Sequence, residues 1–185
     1  MDKNFMIVNI VAKATLEKEI DLFSLIKAFP KQVRYGPDYY GGRFAHFKFD
    51  EMRGRVAVWH SGKMMGMGTT TTNRAIFELR FVANKLNLDF KAQPTISNIV
   101  ALANIGHRID LERCIGVIAE NKSIQVIYEP EQFPGLIAHL ELPDIQRKVS
   151  ILFFSSGKII IPGLKSVKEI DIAIKAYEKI LKINS

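Results

Sequence analysis

A single cysteine, Cys114, rules out an intrachain disulfide. It stands at helical spacing among Leu111, Ile115 and Ile118, which predicts a buried free thiol. No apolar run approaches the roughly 20 residues needed to cross a bilayer. The opening MDKNFMIVNIV has no basic region ahead of a long apolar stretch, so no signal peptide is expected. The chain is therefore expected to be intracellular and soluble, with no membrane contact. Low-complexity tracts are absent apart from the run Thr69 to Thr72. Catalytic signatures are missing too. The four histidines lack metal-ligand spacing, and there is neither a phosphate-binding loop nor a nucleophile elbow. The glycines Gly66 and Gly68 make too short a motif to carry meaning. Neither an enzyme, nor a metal site, nor a cofactor is expected.

What the chain does have is enough apolar material for a core and a modest excess of positive charge. Its 185 residues are 48% hydrophobic and 24% charged, which suits one domain or two small halves. Lys and Arg number 26 against 19 Asp and Glu, a net charge of +7. A polyanionic partner fits that balance, although many basic proteins never touch nucleic acid.

The chain is written twice. The block IVNIVAKATLEKEIDL from Ile7 returns as ISNIVALANIGHRIDL from Ile96, with nine of sixteen positions identical. Asn9 thereby matches Asn98, and Asp21 matches Asp110. YGPDYYGGRFAHFKF from Tyr35 returns as YEPEQFPGLIAHLEL from Tyr128, and SGKMMGMG from Ser61 as SGKIIIPG from Ser156. Three blocks in the same order define a duplicated unit, assigned to residues 1–90 and 91–185. Two copies are too few for a solenoid, which needs about three, but suffice for one pseudo-symmetric domain.

Each unit reads strand, helix, several strands, long helix. Residues 5–14 and 96–104 are apolar and β-rich. Asp21 and Asp110 are suited to cap helices carrying Leu22, Leu25 and Ile26 and, in the second unit, Leu111, Cys114 and Ile118. Pro30 stops the first of these helices. Segments 43–49, 55–60 and 63–68 read as strands, with partners at 136–142, 148–154 and 158–162. A long helix starts near Thr72. Its counterpart follows a capping box formed by Ser166 and Glu169. Residues 87–95 are expected to form the connector. The result is an α+β fold: antiparallel strands in one sheet, helices on one face, and an open face opposite.

The second unit resembles the TATA-binding protein family. YEPEQFPGLI from Tyr128 is similar to the family's stirrup segment. FSSGK from Phe154, with GLKS from Gly163, is similar to its second signature, and ISNIVA from Ile96 to its opening strand. The first unit keeps this frame, with GPDYYGG from Gly36 in place of the stirrup. The resemblance implies two pseudo-symmetric repeats forming one curved sheet, a saddle with helices on its convex face. Its concave face would sit on a widened minor groove, where aromatic wedges enter base steps and kink the duplex.

The resemblance assigns the wedges to Phe133 and Phe154, and to Tyr40 and Trp59 in the first repeat. Aromatic residues near strand ends are ordinarily core, but both pairs fall on the family's wedge positions. An apolar plane can replace base stacking lost at a kinked step. Asn9 and Asn98 interrupt apolar strands and share a strand face with Val11 and Val100. An amide NH2 can donate to the N3 and O2 acceptors of A·T pairs. Met65 and Ile160 extend the same face.

Lys63, Lys158 and Lys165, with Arg53, Arg55, Arg147 and Lys148 in the hairpin turns, are candidates for phosphate contact that is non-specific and salt-sensitive. His46 and His139 stand where the family tends to place arginine; mostly uncharged near neutral pH, they would bind phosphate more weakly than arginine, or more strongly as the pH falls. Met67 and Pro162 stand where the family usually carries threonine before Gly68 and Gly163. Glu129 and Glu131 flank Pro130, in the segment that docks transcription factor B in the family.

Two readings follow. In the first, the chain is a general transcription initiation factor. It binds and bends double-stranded promoter DNA and recruits transcription factor B, with RNA polymerase reached indirectly. It would act in the cytoplasm, associated with the nucleoid, as a monomer on DNA; a weak dimer off DNA stays open. In the second, it is a divergent paralogue that binds transcription factor B as an interaction module, with weak or altered DNA binding.

Overall fold

A computed structural model describes residues 5–36, 43–121 and 123–182. Its elements in chain order are β1 (Phe5–Leu16), α1 (Leu22–Ala28), β2 (Val33–Arg34), β3 (Phe44–Phe47), β4 (Arg55–Trp59), β5 (Lys63–Thr69) and α2 (Thr72–Lys85). There follow β6 (Phe90–Asn104), α3 (Leu111–Glu120), β7 (Ile124–Ile127), β8 (Gly135–Leu142), β9 (Arg147–Phe154), β10 (Lys158–Leu164) and α4 (Val167–Lys182). The chain forms two compact units, residues 9–98 and residues 1–8 with 99–185.

In the unit of residues 9–98 the strands run in the order β2-β3-β4-β5-β1, with antiparallel pairing throughout. Alternation decides the faces: Phe47, Val56, Val58 and Met64 are shut away from solvent, while Phe44, Trp59, Met65 and Met67 between them are half-buried. Helix α2 packs on β5 and β4, closing the core with Ala75, Leu79 and Val82 at three- and four-residue spacing. Its N-cap is Thr71, whose hydroxyl accepts the Arg74 N–H. Asp21 caps α1, its carboxylate accepting the N–H groups of Phe23 and Ser24 at 3.0 and 3.2 Å. The Ser24 hydroxyl, which also donates to this carboxylate, and then those backbone bonds hold the Asp21 carboxyl below its ordinary pKa.

In the other unit β6, β10, β9, β8 and β7 lie in that order, again antiparallel. Ile99, Leu136, Ile151, Phe153, Ile159 and Ile161 fill the core, and α4 covers β10 and β9. Tyr177 meets Phe153 edge to face, with ring centroids 6.4 Å apart. Asp110 caps α3 through the Arg113 N–H at 3.1 Å.

The α+β class and the antiparallel strands with helices on one face match expectation in each unit. Three details differ. The expected connector 87–95 is a short turn, with Asn87 at positive φ, after which β6 already begins at Phe90. Its start carries exposed Lys91, Ala92 and Gln93 and then Pro94, so no period-two pattern announces it. Cys114 is half-buried rather than buried, and partial desolvation raises its thiol pKa. The capping box is half made. Ser166 accepts the Glu169 N–H, but the Glu169 carboxylate reaches back to the N–H of Lys165 and to Arg147.

Candidate nucleic-acid interface

The face of residues 9–98 turned away from the core begins with Asn9. Its amide oxygen accepts the Gly68 N–H at 2.9 Å. That bond fixes which way the amide points and leaves its NH2 as the outward group. Gly68 supplies this N–H from a left-handed conformation, φ +89°, which a residue with a Cβ adopts only under strain.

Around Asn9 lies a shallow depression lined by Arg34, His46, Lys48, Arg53, Arg55 and Met67. Four cationic side chains and no carboxylate line it, so it suits an anion. Its hairpin is held from below by Glu78 of α2, which is 1% exposed. This carboxylate accepts the N–H of Arg53 at 2.7 Å, that of Gly54 at 3.0 Å and the Arg74 Nε–H at 2.8 Å. A buried charge is tolerated because donors surround it. Gly54 is required there: a Cβ would come within 2.2 Å of the Met67 carbonyl oxygen. Of the expected turn residues only Arg53 lies in a turn; Arg55, Arg147 and Lys148 already belong to strands, because the second turn is short and closes at Gln146 with φ +55°.

His46 lies on the same face, with its Nδ1 buried and without a hydrogen-bond partner. Burial first, and the nearby Arg55 charge second, push its pKa below 6.5. The site thus opposes the protonation that would make it a phosphate ligand. His139 differs: its Nδ1 lies 2.9 Å from the Ser150 hydroxyl.

A second depression gathers Arg43, Phe44, His46, Arg55, Ala57, Trp59, Met65 and Met67. Phe44 and Trp59 stand directly opposite each other on β3 and β4, ring centroids 4.9 Å apart. The expected partner of Trp59, Tyr40, lies outside the described residues. Val11 is half-buried beside a register shift between Ile10 and Ala12. Lys63 is exposed at the start of β5. Asn98 is half-buried, and its amide oxygen is buried without a hydrogen-bond partner.

In the unit containing residues 99–185 the corresponding face is apolar. Ile127, Ile137, Leu152, Ile160 and Leu102 stand opposite one another in succession across five strands. Val100 is half-buried like Ile137, Leu152, Ile160 and Leu102, whereas Ile127 at the edge is exposed. Phe133 and Phe154 meet edge to face at 5.7 Å, both half-buried. Phe133 is set by a tight turn in which its N–H and that of Gln132 both donate to the Glu129 carbonyl at 2.9 Å. The glycine opposite Phe154 makes this possible, since a Cβ on Gly135 would come within 2.6 Å of the Phe133 ring.

Charges are distributed unevenly at the edge of this unit. Lys158 and Lys165 are exposed. Arg147 is paired with Glu169, and Lys148 approaches Glu141 at 3.8 Å. Glu129 and Glu131 are both exposed. Phe44, Arg34, Lys48, Ile137, Leu152 and Leu102 escaped sequence reasoning. The alternation of Phe44 and His46 with buried Ala45 and Phe47 was the signal available for the first of them.

Among the described residues no cluster of three or more His, Cys, Asp or Glu could hold a metal. No helix there is long and apolar enough to cross a membrane. In the unit of residues 9–98, the open β face combines the Phe44–Trp59 pair, the amide of Asn9 and a cationic depression, a chemistry suited to an anionic ligand with flat faces.

The chain belongs to the family described as transcription factor TFIID (or TATA-binding protein, TBP), whose model matches residues 4–88 and 93–183. It is 37% identical over 179 residues to a TATA-box-binding protein of Aeropyrum pernix, covering 94% of this chain and 82% of that one. It is 34% identical over 182 residues to one from Sulfurisphaera tokodaii, covering 95% and 86%. The solved structure of Methanococcus jannaschii TBP superposes with a TM-score of 0.74 at 26% identity, over 97% of this chain and 99% of that one. These relatives are archaeal, and the family consists of DNA-binding transcription factors rather than enzymes.

Proposed function

We propose that this protein is a general transcription initiation factor that binds TATA-like promoter DNA through the minor groove and bends it. The observation that carries the reading is the Phe133–Phe154 pair, two flat apolar rings 5.7 Å apart and half-exposed on the open face of the sheet. Apolar side chains of this kind unstack base steps in minor-groove-binding proteins, and the kinked duplex then touches more protein surface. The outward NH2 of Asn9 suits A·T pairs, whose minor-groove edges present acceptors only. The guanine amino group would crowd the apolar row Ile137, Leu152, Ile160 and Leu102. Arg53, Arg55, Lys63, Lys158 and Lys165 supply sequence-independent attraction to the backbone.

Recruitment of transcription factor B rests on Glu129 and Glu131, both exposed beside the turn that holds Phe133. RNA polymerase follows through that partner, and the protein acts as a monomer on DNA, within the nucleoid. Residues 1–90 and 91–185 are the duplicated copies, and only the second has kept the family's acidic turn.

A second reading has a specific observation behind it. Met67 and Pro162 replace threonines, which removes two polar base contacts, while the acidic turn is intact. In that reading the chain binds transcription factor B and reads DNA weakly. Energy transfer across a short end-labelled duplex separates the two. A shortened end-to-end distance on a TATA-like duplex, absent from a G·C-rich control, supports promoter bending. An unchanged distance with retained binding of transcription factor B supports the interaction module.

A further inference from the structure

The two repeats assemble their aromatic pairs differently. In one, Gly135 stands opposite Phe154. Because glycine leaves the space above it empty, the ring of Phe133 reaches in from the turn. In the other, the residue opposite Trp59 is Phe44, and its own ring fills the equivalent space, 4.9 Å from Trp59 and tilted by 34°. Sequence matching points elsewhere. Phe44 aligns with Ile137, which stands opposite Leu152, two positions from Phe154. The cross-strand register of the first repeat is therefore displaced by two residues, and the displacement brings a phenylalanine to the place that glycine vacates in the second.

We propose that Phe44 is a base-stacking residue of the first repeat and forms, with Trp59, the aromatic wedge at that end of the DNA site. The assignment rests on the promoter-bending reading above. Phe44 is not core: its strand neighbours Ala45 and Phe47 are fully buried on the opposite face, whereas Phe44 is partly open. It borders the same depression as Trp59, Met65 and Met67. With centroids 4.9 Å apart and planes tilted by 34°, the Phe44 and Trp59 rings overlap with an offset, and such a pair offers an aromatic face to an unstacked base. His46 meets the Phe44 ring edge-on at 5.0 Å and 87°, and so fixes its plane. Stacking of a base on an aromatic plane replaces the base–base stacking lost at a kinked step.

The test places 2-aminopurine, whose fluorescence rises on unstacking, at the step nearest one end of a TATA-like duplex or the other. The wild type should raise the signal at both ends. Phe44→Ala should abolish the rise at one end and preserve it at the other, and Phe133→Ala should do the reverse. Phe44→Tyr keeps the flat ring and should preserve both rises, which separates stacking from folding; circular dichroism verifies each fold. If folded Phe44→Ala keeps both rises, whether or not Tyr40→Ala abolishes one of them, the assignment is wrong and the bending reading stands. If the wild type raises neither, the bending reading falls and this assignment with it.

Discussion

The amide oxygen of Asn9 is taken up by the N–H of Gly68 at 2.9 Å, so on the proposed interface it is the donor half of that amide that would meet a base. Asn9→Asp keeps the acceptor and deletes the donor. It should weaken binding to an A·T element by about 1–3 kcal/mol while leaving the unfolding midpoint close to wild type. Fluorescence anisotropy titration reads the first, and urea denaturation the second. Equal affinity in Asn9→Asp would show that the amide faces no base.

Glu78 is the one fully buried carboxylate among the described residues, and it fastens the Arg53–Gly54 hairpin to α2. Glu78→Ala leaves Arg74 and two backbone N–H groups without their acceptor. Because Arg74 is part-exposed and also donates to the Glu51 carbonyl, the expected loss in urea denaturation is that of the buried N–H groups left unsatisfied, about 1–3 kcal/mol each. Phe77→Ala at the adjacent position of α2, whose side chain is exposed, should cost far less.

Salt should separate the arginines. Arg53 and Arg55 line the anionic-ligand depression without a carboxylate, so Arg53→Ala or Arg55→Ala should each lower the slope of log K against log salt by about 1. Arg147 is already paired with Glu169, and Arg147→Ala should leave that slope unchanged and lower stability instead. An altered slope in Arg147→Ala would place its guanidinium on a phosphate.

The pH dependence follows from His46. Its pKa is lowered in the folded state, so the unfolded chain binds the proton more readily. Its contribution to stability is present above its unfolded pKa of about 6.5 and is lost as pH falls below it. Denaturation midpoints should drop between pH 7.5 and 5.5, and His46→Gln should flatten that part of the curve. A drop unchanged in His46→Gln would assign it to other groups.

Gly135→Ala inserts a Cβ within 2.6 Å of the Phe133 ring. The ring must leave its place beside Phe154, so bending should fall more than stability does. Energy transfer on the end-labelled duplex, set beside thermal unfolding, compares the two. A variant that folds and bends as wild type would detach the Phe133–Phe154 geometry from DNA distortion.

The duplication made most of the architecture legible, since equal blocks imply equal elements and each helix carries its own cap. Phe133 and Phe154 were legible for the same reason: twenty-one positions apart in sequence, they close to 5.7 Å through a hairpin that both copies encode. Phe44 opposite Trp59 was not, because identity aligns residues while hairpin length sets register. The first hairpin leaves residues 48–54 outside the strands, the second only 143–146. Glu78 was equally hidden. On the helix it looks like the solvent-facing partner of Arg74, and only the backbone of residues 53 and 54, far away in sequence, explains its burial. The four-cation depression draws on Arg34, Lys48, Arg53 and Arg55, which no contiguous motif contains.

The cross-strand row Ile127–Ile137–Leu152–Ile160–Leu102 has as its counterpart Arg34–His46–Ala57–Met65–Lys13, with a cation at either end. On the proposed interface, ionic strength therefore acts on the two copies unequally. Counterions compete with the row that carries Arg34 and Lys13, whereas the all-aliphatic row holds by desolvation that salt leaves intact or strengthens. A near-palindromic element would still be occupied in a preferred direction, and on rising salt the complex would open from one end.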